Sequence, residues 1–242
     1  MPKTTSQLLT QMRLVDPASP RLVWHGAEGR IELSGRVFDN WVAKTSNLLV
    51  DELDATPATS VELDLPPHWK SLAIAFACWQ VGGSVVLPDG ESPAKADILM
   101  TARSVPPVAP PHLLVCVALG SLAFRWDDDL PAGAVDFAAE VRSHGDVFFA
   151  TADEDDARAL VHAGGTSFTA ADLQTLVRTP SSPGQGAPVT ALLEPGASLL
   201  HTLAAAVTVW TEGGTLVLVE EGVEITESML TGERVTSRLE SA

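Results

Sequence analysis

The sequence predicts an α/β protein, with parallel or mixed sheets flanked by helices. Three observations carry this. One segment runs SVELDL, an apolar helix from His68 to Val81, a Gly82-Gly83 stop and SVVLP. A second runs VTALLE, a helix from Ser198 to Thr211, a Gly213-Gly214 stop and TLVLVE. Strand, helix, glycine stop, strand is the order of a βαβ crossover, which sets its two strands parallel under a helix. The third observation is bulk: 242 residues, 45% of them hydrophobic, bury a core without staples.

The elements follow in order. Residues 4–15 predict a helix, capped at Thr4 to Ser6, with Leu8, Leu9, Met12 and Val15 at helical spacing. RLVWH and RIEL flank the turn Gly26-Ala27-Glu28-Gly29, the pattern of a β-hairpin. Ser34 then caps a helix whose buried face is Phe38, Trp41, Val42, Thr45, Leu48, Leu49 and Leu53. Val61, Leu63 and Leu65 alternate as in a half-buried strand, closed by Pro66-Pro67. ADILMTA, LLVCVAL, SLAFRW and DVFFA read as further strands, and Asp136 to Ser143 as a short helix. VPPVAPP, residues 105–111, reads as a stiff surface connector, and SSPGQGAP as a flexible linker. ALVH, a Gly164-Gly165 turn and a helix from Ala170 to Arg178 repeat the order of parts found in residues 21–42. The tail from Glu221 is polar and weakly patterned. Two lobes are expected, residues 1–150 and residues 151–242, the second carrying that tail.

Charge narrows the function. Fifteen Lys+Arg stand against 31 Asp+Glu, a formal charge of −16. Phosphate backbones and anionic lipids both need clustered positive charge, so neither nucleic acid nor a membrane surface is an expected partner. Cys78 and Cys116 lie in apolar runs without metal spacing and read as buried hydrophobes. The N-terminus lacks the apolar core of a signal peptide, and no apolar stretch is long enough to span a bilayer. A cytoplasmic protein is the expectation.

Two patches carry a family resemblance. RIELSGRVFDNWVAKTSNLLVDEL followed by SVELDLPPHWKSLAIAFACWQVGGSVVLPDGES is similar to the opening of the adenylate-forming superfamily, which includes acyl- and aryl-CoA synthetases, luciferases and adenylation domains. Leu65-Pro66-Pro67-His68, Ala73 to Ala77, Gly82-Gly83 and Val86-Leu87-Pro88-Asp89 carry the match. SLLHTLAAAVTVWTEGGTLVLVEE resembles a later segment of the same family, and GERVT the segment after it. The chain resembles in particular a short group of AMP-binding-like proteins. The resemblance implies a truncated form of the family's large-domain architecture, covering its N-terminal part.

The family's phosphate loop reads Ser/Thr-Ser-Gly-Ser/Thr-Ser/Thr-Gly-x-Pro-Lys-Gly, and its backbone N–H groups, hydroxyls and lysine hold the ATP phosphates. Here the corresponding place holds Ala163-Gly164-Gly165-Thr166-Ser167-Phe168-Thr169, without Pro-Lys-Gly, and no lysine follows Lys95. A triphosphate needs several unit charges neutralised. The candidate cofactor-binding residues implied by the resemblance are therefore Gly164, Gly165, Thr166 and Ser167, as a degenerate phosphate-loop position that by its residues reads first as a hairpin turn with a Ser/Thr cap. The family's adenine-stacking aromatic, magnesium-binding Glu, ribose-binding Asp and catalytic lysine domain lie beyond the matched region, so no adenylation residue carries over.

Other constellations are bland. The six histidines have no metal spacing, Asp127-Asp128-Asp129 and Asp153-Glu154-Asp155-Asp156 lack the pattern of a calcium loop, and Ser121 is not in a nucleophile elbow. Trp24, Trp41, Trp69, Trp79 and Trp210 fit core or rim packing. No catalytic residue, metal or cofactor is expected. The functional expectation is a non-catalytic AMP-binding-like protein with a pocket at the carboxyl ends of its strands for a nucleotide or acyl ligand. The alternatives are a protein–protein interaction module or subunit and a divergent acyl-adenylating or acyl-CoA ligase-like enzyme. A homodimer or heteromer is expected through the segment from about Val189 to Glu220, on the premise that its edge or face is left open.

Overall fold

The computed structural model describes residues 4–88, 96–104, 113–121, 123–150, 155–178 and 188–240. The proline-rich stretch 105–111, residues 151–154 of the acidic loop and linker residues 181–187 lie outside them.

Helix α1 (Thr5–Leu14) starts where the Thr4 hydroxyl accepts from Gln7 N, and it buries Leu8, Leu9 and Met12. Strands β1 (Pro20–Gly26) and β2 (Gly29–Ser34) form the expected antiparallel hairpin. Ser34 caps α2 (Gly35–Asp51), which turns Phe38, Val42, Leu48 and Leu49 inward at helical spacing. The first crossover is β3 (Ser60–Asp64), α3 (Trp69–Val81) and β4 (Ser84–Val86), with β3 and β4 parallel. Then come β5 (Ile98–Thr101), β6 (Leu113–Cys116), β7 (Val135–Asp136) and α4 (Phe137–Glu140), which tightens into a turn of 3₁₀ helix at Val141–Ser143. A second hairpin, β8 (Val161–Ala163) and β9 (Thr166–Phe168), leads to α5 (Ala170–Leu176). The second crossover is β10 (Thr190–Leu193), α6 (Leu199–Thr211) and β11 (Thr215–Val219), again parallel. Helix α7 (Glu227–Gly232) and β12 (Ser237–Leu239) end the described chain.

Among the described residues the strands make two mixed sheets, ordered β12-β10-β11-β1-β2 and β7-β6-β5-β3-β4-β8-β9. Each draws strands from both sides of residue 150. The two sheets are built alike. In each, a βαβ crossover is followed outward by the first strand of a hairpin, added in parallel, and then by the hairpin's second strand at the edge. The helix after each hairpin packs on the crossover helix of the other sheet: α2 on α3, and α5 on α6.

Equivalent bonds recur at equivalent places. Trp79 Nε1 donates to Leu160 O and Trp210 Nε1 donates to Arg21 O, each at 2.7 Å and each from the last turn of a crossover helix to the neighbouring strand segment. Arg158 donates to the carbonyls of Trp79 and Gly83, and Arg21 to those of Gly213 and Gly214, closing the two helix C-termini. Gly83 and Gly214 pass so close to backbone that a Cβ would stand 2.6 Å from Thr59 O and 2.5 Å from Val189 O. The repeated order of parts seen in the sequence is thus repeated in three dimensions. Phe38, Phe76, Trp79 and Trp210 meet in one aromatic cluster where α2, α3 and α6 converge.

Four expectations are corrected. Residues 121 and 123–126 of SLAFRW form no strand: Phe124 is 72% exposed and lies over the Arg142 guanidinium, which also holds Ala123 O, so β6 pairs with β7 instead. DVFFA forms none either, because Asn47 takes the carbonyls of Gly145 and Val147 and Lys44 that of His144, tying the segment to α2. The tail is not weakly patterned. Its Val223, Ile225, Met229, Leu230 and Val235 pack on Val23, Leu192, Val217 and Val219, and β12 pairs with β10. The segment from Val189 to Glu220 is therefore not an open edge: β10 and β11 are interior strands and the tail covers their outer face.

Candidate ligand-binding cleft

In parallel sheets, ligands collect beyond the carboxyl ends of the strands, where helix N-termini and loops converge. Both sheets turn those ends toward one another here. Two adjoining hollows lie between the loop after β3, residues 64–68, and the loop before α6, residues 196–200. They share Pro66 and Leu119. One has a volume of about 750 Å³ and an apolar wall that includes Leu63, Leu65, Leu87, Ala102, Leu199 and Leu200. Among the described residues its charged side chains are Asp64 and Arg103, paired at 2.6 Å, with the arginine side chain 77% exposed. The other, about 430 Å³, is the more polar of the two, and its wall includes Trp24, Glu28, His68, Ser121, Glu220 and Glu221.

His68 sits where the proline pair ends β3. Its ring caps α3, with Nδ1 accepting from Lys70 N at 3.1 Å, and it meets the Trp24 ring edge-on at 4.7 Å. That contact joins the two sheets. Burial, reinforced by the nearby Lys70 ammonium, pushes the His68 pKa down to about 3, so the ring is neutral. With Nδ1 as acceptor, its proton is assigned to Nε2. Lys70, the only charged residue in an otherwise apolar helix, points its ammonium at the carbonyls of Ala118 and Gly120, at 2.6 and 2.9 Å, and clamps the loop that follows β6. Burial and then Arg142 lower its pKa to about 8, against Glu28 and Asp127, which raise it. Glu28, from the β1–β2 turn, crosses to the same loop and accepts from Ser121 N at 2.8 Å.

Of the residues singled out from the sequence, Gly164 borders the apolar hollow. Gly164 and Gly165 form the two-residue turn of the β8–β9 hairpin with φ of 55° and 74°, values that favour glycine. Thr166 and Ser167 lie on β9, exposed, and the Ser167 hydroxyl bonds His162 Nδ1 at 2.8 Å. Helix α5 carries the expected Thr169 cap, completed by Asp172 as a capping box. Asp128 bonds the Ser104 hydroxyl in an exposed loop, and among the described residues no group of three His, Cys, Asp or Glu could hold a metal ion. No described helix is long and apolar enough to cross a membrane. Sequence reasoning passed over Trp24, Glu28, Lys70, Arg103 and Glu220 as site residues, and took His68 only as part of a family pattern. A lone lysine in an apolar helix was the one local signal available. The other residues converge only because β1 docks beside β11, across the cleft from β3.

No protein-family model matches the chain. A Mycobacterium tuberculosis protein named as a TIGR03089 family protein is 41% identical over 146 residues, which is 57% of this chain and 59% of that one. Among solved structures, an acyl-CoA synthetase from Brucella canis superposes with a TM-score of 0.71 at 16% identity, over 96% of this chain and 46% of that enzyme. The M. tuberculosis fatty acyl CoA synthetase gives 0.64 at 14% identity, over 96% and 48%. The anthranilate CoA ligase AuaEII, solved in complex with anthranoyl-AMP, gives 0.65 at 14% identity, over 90% and 45%. The chain spans less than two thirds of the length of each of these relatives. With its two mixed sheets flanked by helices, this chain has the fold of the adenylate-forming acyl-CoA synthetases and ligases over about half of their length.

Proposed function

We propose that the chain is a non-adenylating, AMP-binding-like protein that holds an acyl ligand in the apolar hollow at the carboxyl ends of its strands. The observation that carries this is the hollow itself: about 750 Å³ with a wall that includes Leu63, Leu65, Leu87, Leu199 and Leu200, and with Arg103, paired to Asp64, at its edge. The non-adenylating part rests on the tight turn at Gly164-Gly165. A two-residue hairpin turn presents no loop to wrap a triphosphate, and no lysine follows Lys95 to add charge there. Gly164 is assigned to the rim of the acyl site, and Gly165, Thr166 and Ser167 to the hairpin beside it.

Calorimetric titration with octanoate tests the acyl site. Binding is expected, and Ala102→Trp, which fills the hollow, should weaken it about tenfold or more. Absence of binding, or equal binding by the filled variant, would remove the proposal. ATP–pyrophosphate exchange with octanoate should stay at background. Exchange that is lost on Thr166→Ala would show an adenylating enzyme instead.

A further inference from the structure

The polar hollow has a chemistry of its own. Among the described residues no acceptor meets the Nε2–H of His68 or the Nε1–H of Trp24, although each residue is only 4% exposed and both line this hollow. Neither nitrogen is sealed away from solvent, so both donors open on the cavity and offer it a pair of sites for an acceptor. Acceptors of the protein's own stand alongside. Glu28 gives Oε2 to Ser121 N at 2.8 Å, and Glu220 gives Oε2 to Ala27 N at 2.6 Å. Each carboxylate has a second oxygen, Oε1, for a further donor.

The occupant must therefore accept from two N–H groups and donate to two carboxylates within about 430 Å³. An anion meets Glu28, Glu220 and Glu221, with no cationic side chain among the described residues of the wall to offset them. A bare ammonium sets donors against the donors of His68 and Trp24. A hydroxyl does both jobs. We infer that the polar hollow binds a polyol, a sugar ring or similar ligand with adjacent hydroxyls, which accept from His68 and Trp24 and donate to Glu28 and Glu220. This goes beyond the acyl reading and does not depend on it.

The test is a titration of the ¹⁵N-labelled full chain with D-glucose and D-ribose, to about 100 mM so that even a Kd of about 10 mM is seen. The readout is the indole N–H signal of Trp24, identified with Trp24→Phe. A saturable shift of that signal is expected, with Trp79 and Trp210 unmoved as reporters of an intact core. Glu220→Gln, which can still accept from Ala27 N, should weaken it about fivefold or more. No shift with either sugar, or the same affinity in Glu220→Gln, would overturn the inference. A Trp24 shift with putrescine and none with the sugars would overturn it in favour of an organic cation. Failure of octanoate to bind while the sugar shift persists would remove the acyl reading and leave this one supported.

Discussion

Trp24 and His68 meet edge-on with ring centroids 4.7 Å apart, one on the strand that begins the five-stranded sheet's hairpin, the other at the N-terminus of the seven-stranded sheet's crossover helix. The pair is a bridge between the two sheets and a wall of the cleft at once. The His68 ring also caps α3, so one side chain couples helix initiation, sheet docking and the lining of the hollow.

That coupling has a pH signature. The folded-state pKa of His68 is held near 3 by burial and by Lys70, against an ordinary value of 6.5. The unfolded chain therefore binds the extra proton over that interval, and the contribution of the neutral ring is full above pH 6.5 and is lost as pH falls toward 3. Urea titrations should show His68→Asn, which keeps a capping oxygen, with a shallower loss of stability across this window than wild type. Equal slopes would show that the ring is not held neutral.

The equivalent tryptophans should behave alike. Trp79→Phe and Trp210→Phe each remove a buried N–H donor, to Leu160 O and Arg21 O respectively. Each should cost about 0.5–1.5 kcal/mol by chemical denaturation. A cost at one site and none at the other would break the equivalence of the two crossovers.

The paired close approaches make a second matched test. A Cβ at position 83 or 214 would lie within 2.6 Å of a backbone oxygen, so the strand ends must shift to admit it. Gly83→Ala and Gly214→Ala should each destabilise by about 1–3 kcal/mol, read as a lowered thermal midpoint.

Lys70→Met keeps the stem's packing and removes the donor to Ala118 O and Gly120 O. Hydrogen exchange should rise in residues 117–121 well before it rises in α3. Uniform protection across both would show that the lysine is not what holds the loop.

The tail should act as a cover. Leu230→Asp places a charge against the face formed by Val23, Leu192, Val217 and Val219. Light scattering should then show self-association, whereas the wild-type chain with its cover in place is expected as a 25.5 kDa species.

Local chemistry made much of this chain legible as sequence. Strand–helix–glycine–strand spacing set both crossovers, because an apolar stretch of helical length closed by two glycines and flanked by short apolar strands admits few other structures. Ser34, Thr169 and Ser198 announced helix starts through their hydroxyls. The repeated order of parts was visible as well. What stayed hidden was decided by distance along the chain. SLAFRW and DVFFA have strand-like composition, yet Arg142, Asn47 and Lys44 claim their backbone carbonyls and leave no ladder to join. The tail's Val223, Ile225 and Leu230 look sparse in sequence because their partners are up to about two hundred residues away. The cleft is of the same kind. Trp24, Glu28, His68 and Glu220 carry no spacing that marks them, and they face one another because β1 docks in parallel beside β11 while its hairpin turn reaches the loop after β6. Short-range periodicity and capping are written residue by residue, whereas the meeting of two sheet ends depends on which buried faces pair, and only the tertiary structure decides that.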